Sequence, residues 1–419
     1  MGLTTGRRRI VAVVSVAVMV AVTAITAYRV LAPAEVSTTA RGEYPAAADR
    51  EAGVVGRLPV APLIVDGRLR VYAAQRQVYA DGPVDARHRG TPYWSYRRWP
   101  AEVSGVVANG TTVVSHWSDG KLVALDARTG QVAWQVDGPA PAEGWTARRT
   151  GAGAVWSPAG LFHAGAGDSP TIVVSGPQRL AAFALDDGRQ LWSTEVDGAC
   201  RTDVGTTSTG RFAVLDRCGG PAVVEFRDVT TGVPDDRWEP PGAAAEWSVT
   251  PVGCLTEGVR CGGLRVTGPG DDGGRGWLLA ADGPVAAAAL DPADAELTGE
   301  WVVRAADGVV TGRSARDGGE GEEVWRRTDL GPVRIVAVQP DRVHLISETN
   351  DLITVDPATG AERSRFVLNV GADGVGWTPG AAYASGGYLA VERLRQPPAP
   401  DADDQRYFLT SEPLVLAAT

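Results

Sequence analysis

The chain has 419 residues, 44% hydrophobic and 52 of them glycine, and its 50 acidic side chains outnumber 40 basic ones to give a net charge of −10. That balance excludes a basic footprint for nucleic acid or for anionic lipid headgroups. No long helical periodicity appears after residue 32, and a chain of this size can bury a substantial core, so the predicted fold class is all-β.

Residues 1–9 carry Arg7, Arg8 and Arg9 and are expected in the cytoplasm. The uncharged run from Ile10 to Ala27 would span about 27 Å as a helix, close to the bilayer core. A transmembrane signal anchor is therefore expected over 10–32, with everything after it outside the cytoplasm at the cell membrane. A cleaved signal peptide is the rival reading, with Ala32-Pro33-Ala34 as a small-residue site interrupted by proline. Residues 33–57, rich in Ala, Pro and Gly, read as a tether, and 58–419 as one globular domain.

The clearest unit of that domain parses into four short strands. Val103–Ala108 is followed by Asn109-Gly110, a pair suited to a two-residue hairpin, and Thr111–Trp117 returns. Asp119-Gly120 turns into Lys121–Asp126, and Thr129-Gly130 into Gln131–Val136. The matching Asn109-Gly110-Thr111 sequon is explained as that hairpin turn. Copies of the turn recur at Leu185–Gly188 with Trp192, at Asp228, Thr231 and Gly232 with Trp238, at Asp317-Gly318 with Trp325, and at Asp356, Thr359 and Gly360 with Phe366. The glycines at 130, 188, 232, 318 and 360 are 58, 44, 86 and 42 residues apart. One interval is double, which places a hidden copy near Asp282-Gly283 after Trp277. A period near 45 is that of a propeller blade. Units near 58–99, 102–137, 155–197, 199–240, 246–291, 297–328, 332–368 and 375–418 make eight blades, with seven as the alternative count. Asp126 and Thr129 should accept backbone N–H groups within the turn while Gly130 takes positive φ. Trp134, four residues on, is expected to cover the neighbouring blade, with Trp192, Trp238 and Trp325 equivalent to it.

The run Ala124–Trp134, A-L-D-A-R-T-G-Q-V-A-W, resembles the repeat of quinoprotein-type propellers, the pyrroloquinoline-quinone-like family. The resemblance implies the architecture over roughly 58–418 and no cofactor. Its non-enzymatic relatives imply an interaction platform, while its dehydrogenases imply a calcium site, a catalytic aspartate and a stacking Trp at the ring centre. The adjacent cysteine pair typical of those enzymes is absent here.

Four cysteines in an exported chain suggest disulfides. Three pairings exist in principle. Cys200 with Cys218, in successive strands, and Cys254 with Cys261, around a short loop, form the simplest assignment. Zinc is disfavoured because neither pair has C-x-x-C spacing. His88, His116, His163 and His344 are scattered, Gly165-Ala166-Gly167 reads as a turn, and Asp401, Asp403 and Asp404 follow a Pro-rich stretch as a solvated loop. None of the familiar hydrolase, metalloprotease or nucleotide-loop patterns occurs. No catalytic, cofactor-binding or metal-binding residue is assigned. The expectation is a membrane-tethered propeller that binds or scaffolds an envelope protein; the alternatives are a quinone-dependent enzyme and a solute receptor using the central funnel.

Overall fold

A computed structural model of the chain describes residues 16–23, 34–49, 51–142, 152–165, 170–242, 246–270, 274–316, 318–368, 376–395, 412 and 414–419. The described strands form eight antiparallel sheets arranged as the blades of a propeller, seven of four strands and one of five. Blade 2 illustrates why: Val103–Asn109, Thr112–Trp117, Lys121–Asp126 and Val132–Asp137 are β-branched, half-apolar runs separated by the tight turns read from the sequence. Gly110, Gly120 and Gly130 all sit at positive φ. The double interval is filled as expected, since Asp282 lies in the turn before the last strand of blade 5, Gly283–Ala286, which Gly283 opens.

The ring closes through both chain ends. Blade 8 takes three strands from the C-terminal region, Thr378–Ser385, Tyr388–Leu394 and Leu414–Ala418, and its outermost strand from Gly53–Leu58. Ala34–Thr38 adds a fifth strand outside Trp94–Trp99 of blade 1. Much of the stretch expected as a tether, 33–57, is thus bonded to the ring. The alternation that builds strands was hidden there among Ala, Pro and Gly. Within the expected membrane segment only residues 16–23 are described; they are helical, and no described helix is long and apolar enough to cross a membrane. The rest of 10–32, like Ala166, Gly167, Asp317 and the Asp401–Asp404 stretch, lies outside the described residues.

Neighbouring blades are joined by a recurring contact. The indole N–H of Trp94 donates to the Ala127 carbonyl (2.8 Å), Trp134 to Leu185 (2.7 Å), Trp192 to Val229 (2.8 Å) and Trp325 to Pro357 (2.8 Å). Each acceptor lies three residues before the turn glycine of the next blade, and each indole lies against that glycine. A Cβ on Gly188, for example, would sit 2.6 Å from the Trp134 ring. The turn itself is held as its residue types require. The Asp356 carboxylate accepts the Ala358 and Thr359 N–H groups and the Thr359 hydroxyl, at 3.0–3.1 Å; Asp228 does the same for Thr230 and Thr231.

Two expected equivalences are corrected by the register. In blades 2, 3, 4, 6 and 7 a bulge opens the outer strand, and the residue after it is Trp134 in blade 2, Trp192 in blade 3 and Trp325 in blade 6, but Asp236 in blade 4 and Ser364 in blade 7. Trp238 and Phe366 lie two residues further along. Trp238 meets Trp277 edge-on, ring centroids 4.9 Å apart, and Phe366 packs beside Trp377 and Leu368. Trp94, which the sequence reading passed over, holds the position in blade 1. Blade 5 presents no Trp there, and a polar cleft of about 520 Å³ opens over the sheet of blade 6.

Candidate functional site

The first strand of every blade lines the axis, and the ends of those strands converge on one face. They enclose a cup of about 720 Å³ to which all eight blades contribute, from Ile64 in blade 1 through His163 and Thr298 to Ser385 in blade 8. Its floor is protein. Where blades 1, 2, 4, 6, 7 and 8 join their first and second strands through two to four residues, blade 5 inserts ten between Val252 and Gly263, and the Cys254–Cys261 disulfide closes that insertion. The other bridge, Cys200–Cys218, joins the ends of the first two strands of blade 4. Both pairings are those expected.

The blade 5 loop is pinned to blade 4. Thr206 N–H donates to the Gly258 carbonyl and Cys261 N–H to the Thr206 carbonyl, both at 2.8 Å; Arg260 N–H donates to the Thr206 hydroxyl at 2.9 Å. The approach is so close that a Cβ on Gly205 would lie 2.0 Å from the Gly258 oxygen. At its tip Glu257 N–H reaches the Trp156 carbonyl (3.2 Å). Trp156 ends a short helix, Ala152–Trp156, that leads into blade 3. Its ring packs against Tyr383 of blade 8 at 5.4 Å. Elements of blades 5, 3 and 8 therefore meet on the axis. The helix fits because the first strand of blade 1 is only Leu63–Val65, pairing as far as Val71 and leaving Tyr72–Ala74 free of an inner partner.

The electrostatics of the cup are sparse. Burial and the nearby Arg260 charge push the His163 imidazole down to about 4, so it is neutral. Arg260, at φ +51°, makes no ion pair among the described residues. Asp341 at the rim is held below the usual carboxylate range by hydrogen bonds from Arg342 and Arg363. The Gln339 side chain braces blades 7 and 8, its amide bonded to His344 at 2.9 Å and its oxygen accepting Gly387 N–H at 3.0 Å. Thr298 of blade 6 donates to the Gln339 carbonyl at 2.6 Å. The histidines do not converge. His116 bonds the Pro139 carbonyl inside blade 2, His344 sits between Gln339 and Thr354, and the His88 carbonyl accepts from Arg70. The Asp, Thr, Gly and Trp residues singled out from the repeat lie in turns and blade seams, away from the cup. What sequence reasoning missed is Trp156, Tyr383 and the use of the cysteine loop as a floor; the usable signal was the unusual length of the first hairpin of blade 5.

Residues 48–157, about a quarter of the chain, match a family model of pyrroloquinoline-quinone-like repeats described as "Outer membrane protein assembly factor BamB". That match places a pyrroloquinoline-quinone-like repeat in the first part of the ring, and the repeat turns and seam tryptophans of the later blades follow the same pattern. No curated protein matches it in sequence. Among solved structures, BamB from Moraxella catarrhalis is similar at 14% identity over 91% of this chain and 97% of that one, TM-score 0.38. The C-terminal WD40 domain of Sif2 aligns at 11% identity over 88% and 98%, TM-score 0.45. A europium-containing methanol dehydrogenase aligns at 14% identity over 88% and 92%, TM-score 0.38.

This propeller does not fit a quinone cofactor. A planar cofactor stacked at the ring centre needs an open slot and a cluster of carboxylate and amide donors. Here Trp156, Tyr383 and the blade 5 loop occupy the axis, and no group of three or more His, Cys, Asp or Glu among the described residues could hold a metal ion.

Proposed function

We propose that this propeller is a membrane-tethered, extracytoplasmic module that binds a protein partner in the cell envelope and catalyses nothing. The observation that carries the reading is the filled axis. A ring sealed by its own Trp156 and by a disulfide-closed loop offers a rigid, shallow cup in place of a reaction chamber. Concave rims of this kind, built on fixed strands, suit docking of a partner segment. Three arginines before an 18-residue apolar run and two disulfides support an outward location. The assembly-factor family matched by residues 48–157 supports an interaction role.

Photo-crosslinkers placed in the intact chain at Leu255 and Asp341 on the cup, and at Val132 on an outer strand, test the reading in cells. A discrete partner band from the cup positions and none from Val132 is expected. Crosslinking that is equal at all three positions would sink the cup as the docking surface. Stoichiometric binding of pyrroloquinoline quinone with calcium, accompanied by alcohol-dependent dye reduction, would overturn the non-enzymatic part. One observation favours a second reading, a solute receptor: the cup is of ligand size and carries at its rim Arg260, which has no ion-pair partner among the described residues. Saturable binding of a small anion, abolished by Arg260→Ala with no partner crosslink, would favour it.

A further inference from the structure

Within each blade the first strand runs toward the cup and the second away from it. Turns between first and second and between third and fourth strands therefore lie on the same face of the ring as the cup. Turns between second and third strands, and the links from blade to blade, form the opposite face. The N-terminal strand can be placed on this grid. Ala34 pairs with Trp99, the last residue of the outer strand Trp94–Trp99 of blade 1, and Thr38 pairs with Ser95 near the start of that strand. Ala34 is thus at the face opposite the cup. Side chains agree: the Ser37 hydroxyl donates to the Gly130 carbonyl in a cup-face turn (3.4 Å), while Arg98 joins Glu35 (3.0 Å) to Asp119 (2.9 Å) in an opposite-face turn of blade 2.

The expected membrane segment ends at residue 32, so residue 33 alone separates it from the first strand-bonded residue. One or two extended residues reach less than about 10 Å. The described helix at 16–23 presents Val16, Val18, Met19, Val20 and Val22 at 56–64% exposure, apolar surface that no blade covers and that a bilayer would.

We infer that the face opposite the cup is held against the lipid headgroups and that the cup opens away from the membrane. This rests on the membrane-tether reading above. A partner then docks from the far side of the ring, and the links between blades, not the cup, form the lipid-facing surface. Because the chain is acidic overall, the contact is imposed by the short connection and not by attraction to anionic lipid.

The full chain reconstituted into phosphatidylcholine vesicles with a headgroup-attached energy-transfer acceptor tests this. Donor dyes go on Ala74→Cys, at an opposite-face turn of blade 1, and on Asn109→Cys, at a cup-face turn of blade 2; both parent residues are exposed. The native cysteines are paired, and the two faces are about 20 Å apart, the length of a six-residue strand. Transfer should be several-fold stronger from position 74, unchanged when anionic lipid is added, and equalised by a twenty-residue Gly/Ser insertion after residue 32. Equal or stronger transfer from position 109 in protein that floats with vesicles overturns the orientation and leaves the tether standing. Failure to float overturns the tether, and the orientation with it.

Discussion

Trp134→Ala should destabilise the ring by about 3–5 kcal/mol, the range for deleting a buried indole. The structure sets that magnitude at the upper part of the seam contacts. Trp134 is 8% exposed, covers Gly188 of the next blade and donates to the Leu185 carbonyl at 2.7 Å. Alanine forfeits the packing and leaves the acceptor without its donor. Trp134→Phe separates the two effects, since it keeps most of the apolar area and should cost about 1–2 kcal/mol for the lost hydrogen bond and altered fit. Urea unfolding followed by circular dichroism reads both, with Trp238→Ala as comparison because Trp238 makes no such hydrogen bond. A loss below about 1 kcal/mol for Trp134→Ala would refute the seam argument. So would a Trp134→Phe cost equal to that of alanine.

Other outcomes follow from the cup and the buried groups. Gly205→Ala should lift the Cys254–Cys261 loop off blade 4, seen as faster amide exchange over residues 254–261 with blades 1 and 2 unaffected; unchanged exchange would refute the close approach. Peptide mapping without reductant should recover Cys200 with Cys218 and Cys254 with Cys261. Loop lengths of 18 and 7 residues put their removal at about 3 and 2 kcal/mol respectively in the chain-entropy account. Burial holds His116 and His163 to about 4 and His344 to about 3, all below the unfolded value near 6.5. The unfolded chain therefore binds these protons first, and the stability that neutral imidazoles contribute is complete above pH 6.5 and lost as pH falls toward 4. Urea midpoints should drop over that window and drop less in His116→Gln; a His344 ring signal that titrates near 6.5 would contradict the burial.

The blade count was legible because one interaction repeats. Glycine at positive φ in the turn and Trp on the following strand are local requirements with a fixed period, and they placed eight sheets from five glycines. Equivalence failed where residue type was followed instead of spacing: the docking position lies four residues after the turn glycine, at Asp236 and Ser364, so Trp238 and Phe366 fall two places beyond it. Trp94 was missed because no recognisable turn precedes it, although it stands 36 residues before Gly130, much as Trp325 stands 35 before Gly360. The cup floor was illegible for a different reason. Trp156, Tyr383 and Gly258 lie on three separate blades or their leads, and nothing short of ring closure brings them together. The two N-terminal strands were masked by composition, since they gain their order from edges already formed by blades 1 and 8.

The outer strand of blade 8 has a consequence for how the protein comes into being. Leu58 pairs with Leu414, a partner synthesised 356 residues later. Closing a segment of that length costs about 5 kcal/mol in chain entropy, and at usual elongation rates the early strand waits about 20–70 s for its mate. Through that interval the nascent chain carries an open edge at Gly53–Leu58, the kind of template that pairs with foreign strands. The time spent unclosed, not the stability of any blade, therefore sets the exposure of this chain to aggregation.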